Sequence, residues 1–415
     1  MSRARQLVKR VLPAPLVEAI RKRRRSGEER RSGRGRRAAA RRSGDTDRMI
    51  ALGTGLWSSD ESTDAARFEA ALATTPDATD ARGHGALALA QWRLHHGEPE
   101  AALRTVETSR AASRSVQDDL DLLRVDCLIE CGRARDALSA LARLTGKHSN
   151  DPALTLRAAS ARLLLEPDRG TGSGPVVEAL NTIYRDGSTA MAWRTCVGSP
   201  VGVANLSSAA PRAEPNGGSA LVTVVTWVDD SGEVPVLESL CDQTWSNIEV
   251  LILNGSRAVS GGVLDRSESD DRVRVVDGDP AGRGPFDAAA EHGNGEFVTM
   301  QPPSSWAHCQ RIEMQAAAMT IDPQLTGTVA SHLVVGRDLR PLPLGRVAGK
   351  PLIGPAPRLA MFRVAGSTPA EVTRRFEAVS NCTSPTTGEL FPPDGVTLVL
   401  PGIPLVLTNE HREAD

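Results

Sequence analysis

Side chains that could do chemistry stand directly after two apolar runs in the C-terminal half of the chain. Asp229 and Asp230 follow the run Ala220–Thr226. The run Phe297–Met300 is followed instead by Gln-Pro-Pro-Ser-Ser-Trp, which contains no acid. Mg²⁺ or Mn²⁺ that holds a diphosphate needs anionic oxygen ligands, and neither proline nor neutral serine supplies a carboxylate. These residue types predict a polar crevice in which no metal or other cofactor is expected.

Alternating strand and helix patterns through residues 220–300 would position those side chains. Four runs rich in Val, Ile and Leu read as buried strands, at residues 220–226, 248–253, 271–276 and 297–300. Residues 234–243 and 286–292 read as helices between them. Strands that alternate with helices favour a parallel sheet, with a ligand crevice at the carboxyl ends of the strands. The C-terminal half is therefore predicted to be an α/β domain.

Two longer stretches resemble family 2 glycosyltransferases, within a likeness that spans about residues 219–408. Leu237–Val250 is similar to the family pattern L-x-S-L-x-x-Q-T-[WY]-x-N-[IL]-E-[IV]. Gly295–Glu313 is similar to G-E-F-V-T-F-x-D-S-D-D-W-x-H-P-x-R-L-E. The resemblance implies a GT-A-like α/β fold for residues 220–410, the fold of nucleotide-diphospho-sugar transferases, and a nucleotide sugar as ligand.

The same resemblance implies which residues would form the site. The candidates for nucleotide-sugar binding are Thr226, Asp229, Asn254, Ser256, Arg283 and Asp287. Pro302, Ser304 and Ser305 stand where the family motif has the aspartates that hold the divalent cation. Glu371 is the one acid left in a segment similar to the family's acceptor-activating motif, so it is the candidate catalytic residue.

Missing acids at three functional positions predict a catalytically impaired pseudo-glycosyltransferase. By resemblance, it would act as a scaffold or regulator in cell-envelope polysaccharide assembly. The alternative is an active inverting glycosyltransferase with a metal-independent site, in which Arg274, Arg283 or Arg311 neutralises the diphosphate. Mg²⁺ or Mn²⁺ would be needed only if the site is active. A third interpretation is a plain repeat-protein adaptor.

A weak repeat marks the helical segment that precedes this domain. Within residues 45–190, Gly97–Leu103 recurs loosely as Gly132–Leu138, and Ala66 falls 36 residues before Ala102. The offset of 35 residues between the two glycines is close to the period of tetratricopeptide repeats, about 34 residues. The pattern predicts an all-α, TPR-like domain that binds a protein partner, with a plain helical bundle as the alternative. Residues 191–219, rich in Gly, Pro, Ser and Ala, read as a linker.

The first 44 residues form a basic arm, either amphipathic or disordered. Residues 1–42 contain sixteen Lys and Arg against three Glu, a net charge of +13 in a chain whose total is −2. Such an arm suits an anionic membrane surface. Nucleic acid is an unlikely partner, because no aromatic residues interleave with the arginines. Since no run of 18 apolar residues occurs, we expect a cytoplasmic protein whose arm reaches the inner face of the cell membrane.

Overall fold

The computed structural model describes about two thirds of the chain. The described residues are 44–56, 61–145, 151–165, 174–186, 189, 192–194, 203, 206–208, 220–229, 232–255, 258–277, 289, 291–336, 339, 353–364, 371, 389–390, 396–399 and 406–409. They divide into two compact units. The helical unit holds the residues up to Ala179 with Ile353 and Gly354, and the sheet unit holds the rest.

The helical unit is built from consecutive helices. Those described along the chain are α1 (Gly44–Gly55), α2 (Glu61–Thr74), α3 (Asp80–His95), α4 (Pro99–Glu107), α5 (Arg114–Glu130), α6 (Ala134–Thr145), α7 (Pro152–Leu165) and α8 (Gly174–Asp186). The last of these, α8, crosses the division between the units at Leu180. This part of the chain is all-α, as the sequence pattern predicts.

Two helix pairs, α3 with α4 and α5 with α6, share one turn geometry. Gly97 and Gly132 adopt φ values of +74° and +71°, in the left-handed region that favours glycine. In both turns the glycine N–H and the N–H after it donate to carbonyls of the preceding helix. Ala102 and Ala137, five residues after each glycine, are fully buried. The 35-residue offset therefore marks two equivalent turns, whereas their assignment to the tetratricopeptide class stays a prediction.

The proposed third copy of the repeat is displaced by one residue. Ala66, aligned with Ala102, is exposed, whereas Ala65 is buried. The inward face of α2 is set by Ala65, Phe68 and Leu72, which recur at helical spacing and pack in one apolar cluster.

An ion pair is buried between α5 and α7. Arg157 donates from Nε and Nη2 to the two carboxylate oxygens of Asp126, both at 2.7 Å. The side chains are only 1% and 8% exposed. Burial removes the hydration of both charges, so each ion depends on the other for compensation.

The described strands, apart from Ile353 and Gly354, lie in the sheet unit. They are β1 (Ala192–Arg194), β2 (Leu206–Ser208), β3 (Val222–Trp227), β4 (Ile248–Leu253), β5 (Val273–Val276), β6 (Phe297–Met300), β7 (Ser305–Ala307), β8 (Leu325–Val335), β9 (Ile353–Arg363), β10 (Glu389–Leu390), β11 (Val396–Val399) and β12 (Val406–Asn409). The main sheet has the order β10-β11-β8-β9-β6-β3-β4-β5, and β12 pairs with both β7 and β8.

The sheet is mixed, which corrects the expectation of a parallel one. Strands β6, β3, β4 and β5 are parallel neighbours, as predicted. However, β9 runs antiparallel to β6, with Val298 opposite Phe362. The alternation of strands and helices in the sequence ends at β6. Of the later strands, β9 pairs antiparallel with β6, whereas β11 and β12 pair parallel with β8.

Helices of the sheet unit are short. They include α9 (Leu237–Cys241), α10 (Gly261–Ser269) and α11 (Arg311–Ile321). The predicted helix at residues 234–243 shrinks to α9, and the one at 286–292 lies largely outside the described residues. The sequence analysis did not predict α10, which begins after Ser260, whose hydroxyl accepts the Val263 N–H.

The part of the sheet unit before β3 is tied together and to later residues by hydrogen bonds and ring packing. The amide of Asn181 on α8 makes two hydrogen bonds with the backbone of Ala192, at 2.8 and 2.9 Å. Strands β1 and β2, which pair antiparallel, lie within the range expected to be a linker. The Cys309 N–H donates to Ser208 Oγ at 2.9 Å, and the Tyr184 ring lies 4.7 Å from the His308 ring. Part of that range is therefore structured.

Two expectations concern the membrane. In the described parts of the chain, no helix combines the length and apolar character needed to cross a bilayer. The basic arm, residues 1–44, lies outside the described residues except for Gly44, where α1 begins.

We predict that the Asp126→Ala substitution lowers the free energy of unfolding by about 3–5 kcal/mol, because it leaves the Arg157 cation buried and uncompensated. Urea unfolding followed by circular dichroism measures this. The Glu107→Ala variant is the control, since Glu107 pairs with Arg124 at the surface, where such a pair contributes at most about 1 kcal/mol. Equal losses in the two variants would show that the buried pair is not needed for stability.

Candidate functional site

The parallel register brings three polar residues to one edge of the sheet. Thr226 lies near the end of β3, Asn254 follows β4, and Gln301 follows β6. The Gln301 N–H donates to the carbonyl of Val225 at 2.9 Å, so the pairing of β6 with β3 continues to this point. Thr226 is fully buried, and among the described residues its hydroxyl has no hydrogen-bond partner. This carboxyl-terminal edge is the candidate site.

Asp229 shapes the turn that leaves β3. Its carboxylate accepts the N–H of Glu233 at 3.0 Å, and its own N–H donates to the Glu233 carbonyl at 2.8 Å. Gly232 in this turn has φ +80°, and a Cβ there would lie 2.5 Å from the carbonyl oxygen of Ala258. Asp229 therefore has a structural task at the candidate site, and Asp230 lies outside the described residues.

Asn254 links the ends of β4 and β5. Its side-chain amide donates to Asp277 at 2.8 Å, and its backbone N–H donates to the Val276 carbonyl at 3.3 Å. Sequence reasoning missed Asp277, an exposed acid at the same edge. Like Asp229, Asp277 follows a predicted strand, so the sequence offers the same reason to name it as a candidate.

The loop after β6 is closed by its own hydrogen bonds. Ser305 Oγ donates to the Pro302 carbonyl at 2.6 Å and accepts a short hydrogen bond from the Gln301 amide. The Pro303 carbonyl accepts the Val236 N–H at 3.0 Å. Ser305 is buried, whereas Pro302 and Ser304 are half-buried. Within the described chain, no three His, Cys, Asp or Glu side chains gather as a metal site would require.

Arg311 cannot meet a diphosphate in this conformation, which corrects one expectation. The side chain is fully buried, and burial lowers its pKa to about 9. Nη1 donates a short hydrogen bond to the side-chain amide oxygen of Gln301, and Nη2 donates to Thr299 Oγ1 at 2.6 Å and to the Met300 carbonyl at 3.1 Å. The sequence shows the charge but not that it lies inside the protein.

The guanidinium of Arg274 is engaged away from the candidate site. Arg274 is the second residue of β5, and its guanidinium donates to Glu249 at 2.9 Å and to the His292 carbonyl at 2.7 Å. Glu249 is the second residue of β4. The backbone of Arg274 pairs with Leu251, which is level with Val225 beside Thr226. Its guanidinium is held by Glu249, which pairs with Thr223 near the amino-terminal end of β3.

The remaining predicted residues do not join this group in the described structure. Ser256, Arg283 and Asp287 lie outside the described residues. Glu371 is half-buried, and the residues on either side of it are also outside the described set. The structure thus brings together Thr226, Asn254 and the 301–305 loop, with Asp229 in the turn after β3.

Hydrogen bonds join the two stretches that carry the family resemblance. The fully buried Gln243 amide donates to the carbonyls of Ser239 and His308, and its oxygen accepts the Ile312 N–H, at 2.8 to 3.0 Å. The neighbouring Thr244 donates to Glu313 at 2.7 Å. Burial raises the pKa of Glu313, and the hydroxyl of Thr244 partly opposes this. These motif residues hold the fold together.

Glu249 organises the amino-terminal edge. The Thr223 hydroxyl donates to its carboxylate at 2.6 Å, and the Asn294 backbone and the Arg274 guanidinium donate as well. Burial is the largest single influence and favours the neutral acid, yet these hydrogen bonds together lower the pKa of Glu249. Gly295 completes the network, because a Cβ there would lie 2.5 Å from the Thr223 hydroxyl oxygen.

The chain matches no protein-family model and no curated protein sequence. Among solved structures it is similar to a mannosyltransferase from Pyrobaculum calidifontis in complex with GDP-mannose and Mn²⁺. The identity is 14% over 49% of this chain, with a TM-score of 0.29. The chain spans 59% of that protein. At a TM-score this low, the similarity does not indicate the function of this chain.

We predict that the Glu249→Gln substitution destabilises the protein most at neutral pH. A carboxyl group whose folded pKa is lowered adds stability above its unfolded pKa, near 4.5, and this stability is lost as the pH falls through the folded pKa. The difference in unfolding free energy from the parent protein should therefore shrink below about pH 4.5. Urea unfolding between pH 3 and pH 7 measures it, with the exposed Glu268→Gln as charge control. A difference independent of pH would contradict this account of Glu249.

Proposed function

We propose that the sheet unit is a glycosyltransferase-like domain that has lost catalytic capacity and acts as a scaffold or regulator. The mixed α/β sheet is compatible with a glycosyltransferase-like fold. Support for the family comes from Leu237–Val250 and Gly295–Glu313, because these stretches not only resemble the family patterns but also bond to each other.

The loop after β6 is the observation that carries the proposal. The family places metal-binding aspartates at the positions of Pro302, Ser304 and Ser305, and this chain supplies none. The hydroxyl of Ser305 is engaged with Pro302 and Gln301 within the same loop. Neutral donors of this kind do not suit a hard divalent cation, which selects carboxylate oxygens. Neither Mg²⁺ nor Mn²⁺ is therefore part of the proposed function.

An active, metal-independent site is less well supported. A transferase without a metal needs another cation at the leaving diphosphate. Arg311 is buried among neutral partners, and the guanidinium of Arg274 is paired with Glu249 near the amino-terminal end of β4. Only Arg283 of the three named arginines is left for the role. Glu371 stays the proposed base for that alternative.

The proposed protein partner, cell-envelope role and membrane attachment rest on sequence alone. A protein partner for the helical unit follows from the TPR-like interpretation of residues 45–190. A role in cell-envelope polysaccharide assembly follows from the family resemblance, and attachment to an anionic membrane surface follows from the basic arm. A nucleotide sugar is the ligand against which the sheet unit is to be tested.

We expect that restoring acids at the two half-buried loop positions creates metal-dependent binding that the parent protein lacks. The P302D/S304D double variant should bind a UDP- or GDP-sugar at least about tenfold more tightly with Mn²⁺ than without it, because two carboxylates supply the missing ligands. Calorimetric titration of the full chain measures the affinities.

The matched control is the P302N/S304N variant, which has similar side chains without charge. Binding by the control as strong as by the acidic variant would rule out metal coordination as the cause. Mn²⁺-dependent binding by the parent protein would contradict the loss of the site. No gain in the acidic variant would show that the missing acids are not the reason for the loss.

A further inference from the structure

A chain of side-chain hydrogen bonds leads from β6 through Arg311 to the loop that follows. Thr299 accepts from the Arg311 guanidinium at 2.6 Å and itself donates to the Ala360 carbonyl at 2.9 Å. The Gln301 side chain lies between Arg311 and Ser305, accepting from the first and donating to the second. Apart from Arg311, every member of this chain is neutral.

Arg311 is thus a buried cation with no carboxylate among its described hydrogen-bond partners. Its described partners are a hydroxyl, an amide oxygen and a backbone carbonyl. Its Nε is buried and has no hydrogen-bond partner among the described residues. A buried charge of this kind costs several kcal/mol of desolvation unless an opposite charge compensates it.

We propose that position 305 is part of an interior ion-pair site for Arg311, in which Ser305 and Gln301 are neutral substitutes for a carboxylate. The inference goes beyond the proposed function, because it rests on the contacts of Arg311 and assigns position 305 to the protein interior instead of to a metal-binding surface.

Burial and strand pairing separate position 305 from its neighbours in the loop. Ser305 is only 2% exposed and begins β7, where it pairs with Thr408 of β12. Pro302 and Ser304 retain contact with solvent. A carboxylate at 305 would therefore be enclosed, with only the amide group of Gln301 between it and the guanidinium. At such a separation in a protein interior, opposite charges attract strongly.

The other titratable groups near Arg311 in the chain face elsewhere. The His308 ring packs against the rings of Tyr184 and Trp306. Cys309 lies beside Ser208, and the Glu313 carboxylate accepts from Thr244. A new acid at 305 therefore has Arg311 as its charged partner.

The test compares Ser305→Asp with Ser305→Asn in the full chain, since the two side chains differ in charge but hardly in size. We expect S305D to have a midpoint of thermal unfolding about 2–4 °C above that of S305N at pH 7. An acid whose pKa is lowered by an ion pair loses its contribution as the pH falls through that pKa, so the gain should vanish by about pH 3. Mn²⁺ should not shift the midpoint of S305D.

Gln301→Glu provides a second route to the same site, because it places a carboxylate directly on the Arg311 guanidinium. We expect Q301E to be more stable than the parent protein at pH 7 and to lose that gain in acid. The proposal is overturned if both acidic variants are less stable than their neutral counterparts at pH 7, or fail to fold there while the neutral ones do. A Mn²⁺-dependent rise for S305D would also overturn it, since position 305 would then face a metal site.

Discussion

The buried side chains of Gln243 and Thr244 are the contact on which the sheet unit depends. The Gln243 amide satisfies backbone groups of α9, of His308 and of the start of α11. The Thr244 N–H donates to the Cys309 carbonyl, and the Thr244 hydroxyl donates to Glu313. Backbone groups buried without partners cost about 1–3 kcal/mol each, so few other residues could stand at these positions. These hydrogen bonds fix the start of α11. Its first residue, Arg311, donates to Thr299 and Met300 of β6.

Under the proposed loss of catalysis, that arrangement would explain how the family resemblance persists without the family's chemistry. Several residues that match the patterns, among them Gln243, Thr244, Glu249 and Glu313, make side-chain hydrogen bonds inside the fold. The positions that would bind a metal lie in the 301–305 loop, where the substitutions leave this framework intact. Packing and chemistry thus occupy different residues of the same motif, and one can be lost while the other stays.

The sequence predicted the parts of the fold that depend on local pattern. The limits of β4 and β6 follow from continuous apolar runs, and the turns at Gly97 and Gly132 follow from glycine spacing. The sequence places Arg274 in a strand beside the candidate edge but does not show that Glu249 engages its guanidinium. Arg311 could not be placed, because a buried arginine without an acid is contrary to the usual distribution of charged residues. Its partners, Gln301 and Thr299, carry no recognisable signal of their own.

The most direct test of the proposed loss of catalysis is calorimetric titration of UDP, and of UDP-, GDP- and TDP-sugars, into the full chain with and without Mn²⁺. The whole chain is required, because Asn181, Tyr184 and Ser208 belong to the sheet unit's contacts. The account predicts no binding heat at millimolar ligand in either condition. Binding at micromolar affinity, with or without the metal, would contradict it and identify the carboxyl-terminal edge as a working nucleotide-sugar site.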